Sequence, residues 1–272
     1  MRLFICVLLI IACSIAASAA VVLTGSVSDE SGAPIPYAKV SIPAKGDITL
    51  TDSAGVLHYR LAVLSPADTL IFSSIGYEPC AVSYKDFKTH ATVTLKDNPN
   101  RLHEVTVLPA KTKEKTFGRT SMKGAFEIQV GSEHSEGTGI GVHCKTGKRG
   151  WITSVSMGWL QRPGCLDRMP FRLNIYNKVN GKWVNVTEQT VIFTYLKEKL
   201  NDEGRFVYKL PEPVMISGDT MVEFEFLEPM RGRGLYIKSN VMTGHFYFHN
   251  KKDKWESIPV GGSFAVHATV EK

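Results

Sequence analysis

The chain has 272 residues, of which 43% are hydrophobic, and a formal net charge of +6. This length suits one large domain or two ordinary ones, each able to bury a core. After position 20 three cysteines remain, and an odd number this small excludes a dense disulfide framework but leaves a single Cys144–Cys165 bridge open. The basic charge comes with no nucleic-acid-binding motif, so we expect no nucleic acid partner.

The first residues have the layout of a secretory signal. Arg2 precedes an apolar run over residues 3–12, and small side chains follow as far as Ala20. This pattern predicts a signal peptide over residues 1–20, and the run loses its strong hydrophobicity too early for a transmembrane span in the mature chain. The residues before Cys13 also fit a lipobox, so lipidation there is the alternative to plain cleavage. Both alternatives predict export to the periplasm or to the outer-membrane or cell surface.

Short β-forming segments separated by turn residues fill the region from 21 to 97. Several strands at this spacing are typical of an antiparallel sandwich. Asp29 and Asp52 each begin an Asp-x-x-Gly sequence, which predicts that they form turns and do not bind metal. One helical turn is predicted over residues 83–88. The predicted strands cover residues 21–27, 38–42, 48–51, 56–61, 69–74 and 91–95.

Three stretches of this region carry a family resemblance: GSVSDESGAPIPYAKVSI, TDSAGVLHYRL and DTLIFSSIGYEP. Together they resemble the carboxypeptidase-regulatory-like domain over residues 22–96, which implies a seven-stranded, transthyretin-like sandwich. The variant is similar to the one that begins TonB-dependent outer-membrane receptors and other exported proteins of Bacteroidetes, and LHEVTV at residues 102–107 resembles the segment that follows it there. The remaining chain is too short for a receptor's plug and barrel, so we do not expect a receptor.

Residues 98–124 are rich in lysine and predict a basic linker. Residues 125–272 again alternate in hydrophobicity, as in FRLNIYN and VEFEF, and predict a jelly-roll-like β-sandwich of eight to ten strands whose order the pattern does not give. The fold class is therefore all-β. Several strings of this region resemble uncharacterised Bacteroidetes proteins in which the same N-terminal module precedes a sandwich, and they imply no activity.

Catalytic and metal-binding motifs are missing from the sequence. A zinc carboxypeptidase requires a His-x-x-Glu sequence, and none of the eight histidines has a Glu at the third position after it. The glycine-rich residues 136–151 lack the spacing of a phosphate-binding loop. His245 and His249 share a strand face with Tyr247, but they would lie about 13 Å apart, too far for one metal ion. We expect an exposed polar face there. The chain is predicted to be no enzyme and to bind neither metal nor cofactor.

Tryptophan and tyrosine side chains concentrate in the second domain. Trp183, Trp255 and Tyr247 lie close to turns and are the candidate ligand-binding residues, because exposed aromatic rings hold sugars by stacking. The alternative is that they belong to the core. We expect a non-enzymatic exported binding or assembly protein of the bacterial cell envelope, with a glycan or an envelope protein as its partner. Two alternatives remain, a carbohydrate-binding protein linked to glycan uptake and a hydrolase with an unrecognised site in the C-terminal domain.

Overall fold

A computed structural model describes residues 20–98, 111–131, 134–188, 190–230 and 234–272. Almost all regular structure is β-strand, which confirms the predicted all-β class. The predicted signal peptide up to residue 19, including Cys13, and the segment 102–107 lie outside the described residues. Within the described ranges no helix has the length and apolar character to cross a membrane.

The N-terminal domain is a seven-stranded sandwich. One sheet has the order β4-β1-β7 and the other β3-β2-β5-β6, with β1 and β7 parallel and all other neighbours antiparallel. A short helix, α1 (Tyr84–Thr89), joins β6 to β7 and buries Phe87 in the core between the sheets. The strands are β1 (Val21–Ser28), β2 (Lys39–Ile42), β3 (Asp47–Leu50), β4 (Val56–Leu61), β5 (Thr69–Ser73), β6 (Cys80–Ser83) and β7 (Thr92–Thr94). Only β6 has no counterpart among the predicted segments.

The turns of this domain follow the local chemistry. The Oδ1 atom of Asp29 accepts hydrogen bonds from the backbone N–H groups of Ser31 and Ala33, both at 2.9 Å, and Asp52 makes the same pattern in its own turn. After β5 the chain turns at Gly76, whose φ of +93° is disfavoured for residues with a Cβ. Tyr77 then packs against the core. The predicted turn-forming role of both aspartates is confirmed.

Among the described residues the C-terminal domain has ten strands of one hydrogen-bonded sheet, which encloses its core in two layers that share long strands. The strands of the first layer have the order β12-β11-β14-β10-β15-β16, and β13 also pairs with β11. In the second layer β17 pairs with both β10 and β8, and β9 pairs with β15. Rings from both layers meet in the core, as where Phe224 contacts Phe264 at 5.5 Å between centroids. The strands are β8 (Thr112–Gly118), β9 (Phe126–Val130), β10 (Gly139–Gly158), β11 (Arg168–Val179), β12 (Lys182–Asn185), β13 (Val191–Leu196), β14 (Arg205–Phe226), β15 (Leu235–His249), β16 (Trp255–Gly262) and β17 (Phe264–Glu271).

Part of the predicted basic linker is a strand of this sheet. Residues 112–118 form β8 and pair with β17 over their whole length, from Thr112 opposite Glu271 to Gly118 opposite Ala265. Phe117 is the only fully buried side chain of β8, since most of this edge strand faces solvent. The lysines that make the segment look like a linker are typical of exposed edge strands.

The two domains touch through a small mixed contact. Tyr37 and Leu50 of the N-terminal domain form a buried apolar cluster with Leu227. Beside it, Nη1 of Arg172 on β11 donates a 2.9 Å hydrogen bond to the carbonyl oxygen of Tyr37, and Lys39 lies 3.8 Å from a carboxylate oxygen of Asp253. This contact covers one end of the outer face of the first layer, where the polar side chains of the C-terminal domain converge.

Candidate functional site

An aromatic row lies on the outer face of the first layer of the C-terminal domain. It consists of Trp183 on β12, His143 on β10 and Tyr247 on β15. The His143 ring centroid lies 5.5 Å from that of Trp183 and 5.8 Å from that of Tyr247, with both neighbours edge-on to it. All three side chains are partly exposed. The row therefore presents ring surface to solvent across the middle of the sheet.

Strand alternation produces this row. His143 lies between the core residues Val142 and Cys144, so its side chain points out of the sandwich. Tyr247 likewise lies between two phenylalanines that pack inward. Its cross-strand neighbour is Gly141, where an added Cβ would lie 2.4 Å from the Trp255 ring. The missing side chain on β10 leaves space for aromatic rings to lie over the sheet.

Charged groups lie beside the row. Nε2 of His143 forms a hydrogen bond with Oδ1 of Asp219, and this hydrogen bond lowers the pKa of the Asp219 carboxyl. Nζ of Lys178 lies 5.5 Å from the centre of the Trp183 ring. The Asp219 side chain retains 39% of its exposure, so its carboxylate can accept further hydrogen bonds from a ligand. The surface thus combines aromatic faces with an acceptor and a cation.

A buried polar network lies on the same face, where the N-terminal domain covers it. Nε of Arg172 donates to Oε2 of Glu225 at 2.8 Å. Nδ2 of Asn174 donates both to that atom at 2.7 Å and to Oε2 of Glu223 at 2.8 Å, and the Tyr176 hydroxyl donates to Glu223 at 3.0 Å. Every one of these side chains is buried. The network therefore holds two carboxylates by hydrogen bonds from three neighbouring side chains.

His249 ends this network. Its Nδ1 lies 2.7 Å from Oε1 of Glu223 and its Nε2 lies 3.0 Å from Oδ1 of Asp253. Burial by itself would lower the pKa of His249, but the two carboxylates outweigh it and raise the pKa to about 9. The Trp255 ring stacks on the imidazole with centroids 4.7 Å apart, a placement that also favours the cation. The expectation that His249 faces solvent was wrong, because the domain contact and Trp255 cover it.

The three predicted binding residues lie on one face, but only two of them contact the same neighbour, His143. Trp183 and Tyr247 both contact His143, whereas Trp255 stacks on His249 and makes an edge-to-face contact with Tyr176. Nε1 of Trp255 is buried without a hydrogen-bond partner in the structure. Sequence reasoning missed His143 and Asp219. The signal for His143 was its outward position on a strand, but its neighbours on other strands depend on the pairing.

Other reactive groups lie apart from this face. Cys80, Cys144 and Cys165 are free thiols, so the Cys144–Cys165 bridge is not formed, and burial raises the pKa of Cys144. A shallow depression of about 380 Å³ contains a single carboxylate and is lined by Gln161, Arg162, Pro163, Gly164, Cys165, Asp167 and Lys197. Among the described residues no group of three His, Cys, Asp or Glu side chains is arranged to hold a metal ion.

Comparison with known families gives one match. Residues 23–107 match the family model of the CarboxypepD_reg-like domain. A comparison with curated proteins finds no match. The family match confirms the resemblance of the N-terminal region and agrees with its seven-stranded sandwich; it covers less than half of the chain.

Proposed function

We propose that this chain, whose residues 23–107 match the CarboxypepD_reg-like domain, is a non-enzymatic binding or assembly protein of the bacterial cell envelope. Its ligand binds on the aromatic row of the C-terminal domain. The observation that carries this proposal is the row itself, with Trp183 and Tyr247 partly exposed on both sides of His143. The signal-peptide pattern and the likeness to exported Bacteroidetes proteins support a location in the periplasm or at the outer surface.

Carbohydrate is the ligand class that the row favours. Sugar rings present apolar C–H faces that stack on aromatic rings, while their hydroxyl groups hydrogen-bond to nearby charged side chains. Trp183 and Tyr247 provide two such rings, separated by one imidazole. Asp219 and Lys178 lie beside them as an acceptor and a donor. This arrangement suits two consecutive sugar units of a glycan, and it supports a role linked to glycan uptake.

The carboxylates of the domain support binding over hydrolysis. Glu223 and Glu225 are 0% and 4% exposed, and each already accepts hydrogen bonds from neighbouring side chains. A catalytic acid or base must come within hydrogen-bond reach of its substrate. Neither carboxylate has an open approach while the N-terminal domain and Trp255 lie over the network. The hydrolase alternative therefore has less support than binding.

Replacing Trp183 by alanine should weaken glycan binding. We expect Trp183→Ala to lower the affinity for the best-binding polysaccharide about tenfold, because a stacking surface is lost, and Tyr247→Ala to act in the same direction. Isothermal titration calorimetry against a panel of host and dietary polysaccharides measures this. Tyr236→Ala is the matched control, since Tyr236 is partly exposed on β15 but contacts Gln129, away from the row.

Each outcome decides between the alternatives. Binding that Trp183→Ala weakens and Tyr236→Ala leaves intact supports the carbohydrate ligand. No binding to any polysaccharide removes that ligand class and leaves binding of an envelope protein. If chromatography detects shorter sugars released from any polysaccharide, this result contradicts a non-enzymatic function.

A further inference from the structure

A β-bulge in β15 projects two apolar side chains into solvent. β15 and β16 pair regularly on both sides of it, but the register shifts between Val241 and Phe246. Val241 is 63% exposed and Met242 is 92% exposed, the largest exposures among the large hydrophobic residues that the structure describes. We call these two residues the bulge tip. Bulges of this kind often re-aim a side chain for a purpose.

The bulge tip is held in a fixed, unfavourable shape. Met242 has a φ of +57°, which costs a non-glycine residue about 1 kcal/mol. Oγ1 of Thr243 donates a 2.9 Å hydrogen bond to the carbonyl oxygen of Asn240, and Oδ1 of Asn240 accepts a 2.6 Å hydrogen bond from the backbone of Ala125. These bonds anchor the base of the bulge to the chain beside β9. A strained and exposed methionine on an anchored base indicates a functional element.

Basic residues lie beside the base of the bulge. Nη1 of Arg119 donates to the carbonyl oxygen of Gly261, and Gly261 packs so closely on Thr243 that an added Cβ would lie 2.5 Å from its Oγ1. The Arg119 guanidinium also contacts the backbone of Lys123, whose own side chain is exposed, and the exposed His245 follows within the bulge. We call the two cationic residues, Arg119 and Lys123, the basic collar.

We propose that the bulge tip inserts into an anionic lipid surface, with the basic collar against the headgroups. Two side chains are too few for a stable protein partner, because such interfaces bury about 800 Å² on each side. Binding to a lipid surface requires a smaller contact than binding to a protein. The affinity for a membrane surface grows with each apolar group inserted, and each basic residue near an anionic surface adds about 1 kcal/mol. An exposed apolar tip with two cationic residues beside its base fits this geometry. Within the bulge, His245 adjoins the aromatic row, because its ring centroid lies 6.0 Å from that of Tyr247. Neither the bulge tip nor the basic collar contains a residue of the row, so this proposal does not depend on the proposed function.

A vesicle sedimentation experiment tests the proposal with the full mature chain. Wild-type protein is mixed with phosphatidylcholine vesicles that contain either no phosphatidylglycerol or a third of it. We expect binding to the anionic vesicles only, and we expect the double variant Val241→Ser and Met242→Ser to bind them about tenfold more weakly. The matched control is Val207→Ser with Met215→Ser, two apolar side chains on β14 that are 49% and 41% exposed.

The results separate insertion from other kinds of binding. Loss of sedimentation in the bulge variant, with the control variant unchanged, supports insertion of the bulge tip. Equal binding by wild-type protein and the bulge variant overturns it, as does absence of binding to both kinds of vesicle. Replacing Lys123 by glutamine should weaken binding to anionic vesicles only at low salt, because the headgroup contact is electrostatic.

Discussion

Replacing Arg172 by alanine should lower the free energy of unfolding of the C-terminal domain by about 3–5 kcal/mol. The side chains of Arg172 and Glu225 are 7% and 6% exposed, and the guanidinium is the cation that pairs with this carboxylate. Its removal leaves the negative charge buried without its paired cation, with the Asn174 amide still donating to it, which costs far more than the net value of the pair. The hydrogen bond to the carbonyl oxygen of Tyr37 is lost as well, so the contact between the domains should loosen.

Chemical denaturation followed by tryptophan fluorescence measures this loss. Arg168→Ala is the control, because Arg168 pairs with Glu228 at 2.8 Å but these side chains are 54% and 33% exposed, and we expect a loss under about 1 kcal/mol. Replacing Arg172 by methionine together with Glu225 by glutamine should recover most of the stability, since no unpaired charge remains. A single Arg172→Ala variant as stable as Arg168→Ala would show that water reaches Glu225.

Stability should fall as the pH rises from about 6.5 to about 9. The pKa of His249 is raised to about 9 in the folded chain, against 6.5 in the unfolded one, so between these values only the folded chain holds the proton. The contribution is complete below pH 6.5 and is lost above pH 9, and it amounts to roughly 3 kcal/mol. The side chains of Glu223 and Asp253 face the imidazole. The Tyr176 hydroxyl group, whose pKa is raised, also faces it. Lys39 contacts Asp253 and does not contact the imidazole directly.

Unfolding free energies measured across this pH range test the prediction. His249→Gln should remove most of the slope between pH 6.5 and 9 while lowering stability at pH 6.5. His267→Gln is the control, because burial and the neighbouring Arg205 lower the pKa of His267, so its effect lies below pH 6.5 and has the opposite sign. An alkaline slope that survives in the His249→Gln variant would assign the effect to another group.

The N-terminal fold could be predicted from the sequence because its determinants are local. The bonds of Asp29 and Asp52 run to backbone groups within four residues, and Gly76 turns the chain by its own conformational freedom. Such features leave a spaced pattern that a family model also matches, at residues 23–107. The strand β6 escaped prediction because it has only four residues and none of them is fully buried.

The sequence by itself determined the all-β class and the turns of the first sandwich, and it singled out Trp183, Trp255 and Tyr247 as candidate ligand-binding residues. Only the tertiary structure decided which neighbours these side chains contact. His143 comes from β10 and Tyr247 from β15, more than a hundred residues away, and their contact depends on the register of the sheet. The same is true of the buried carboxylates, which look like exposed polar positions of an alternating strand until the N-terminal domain and Trp255 cover them. Hydrophobic alternation fixes the face on which a side chain lies, whereas sheet order and domain packing fix its neighbours and its access to solvent.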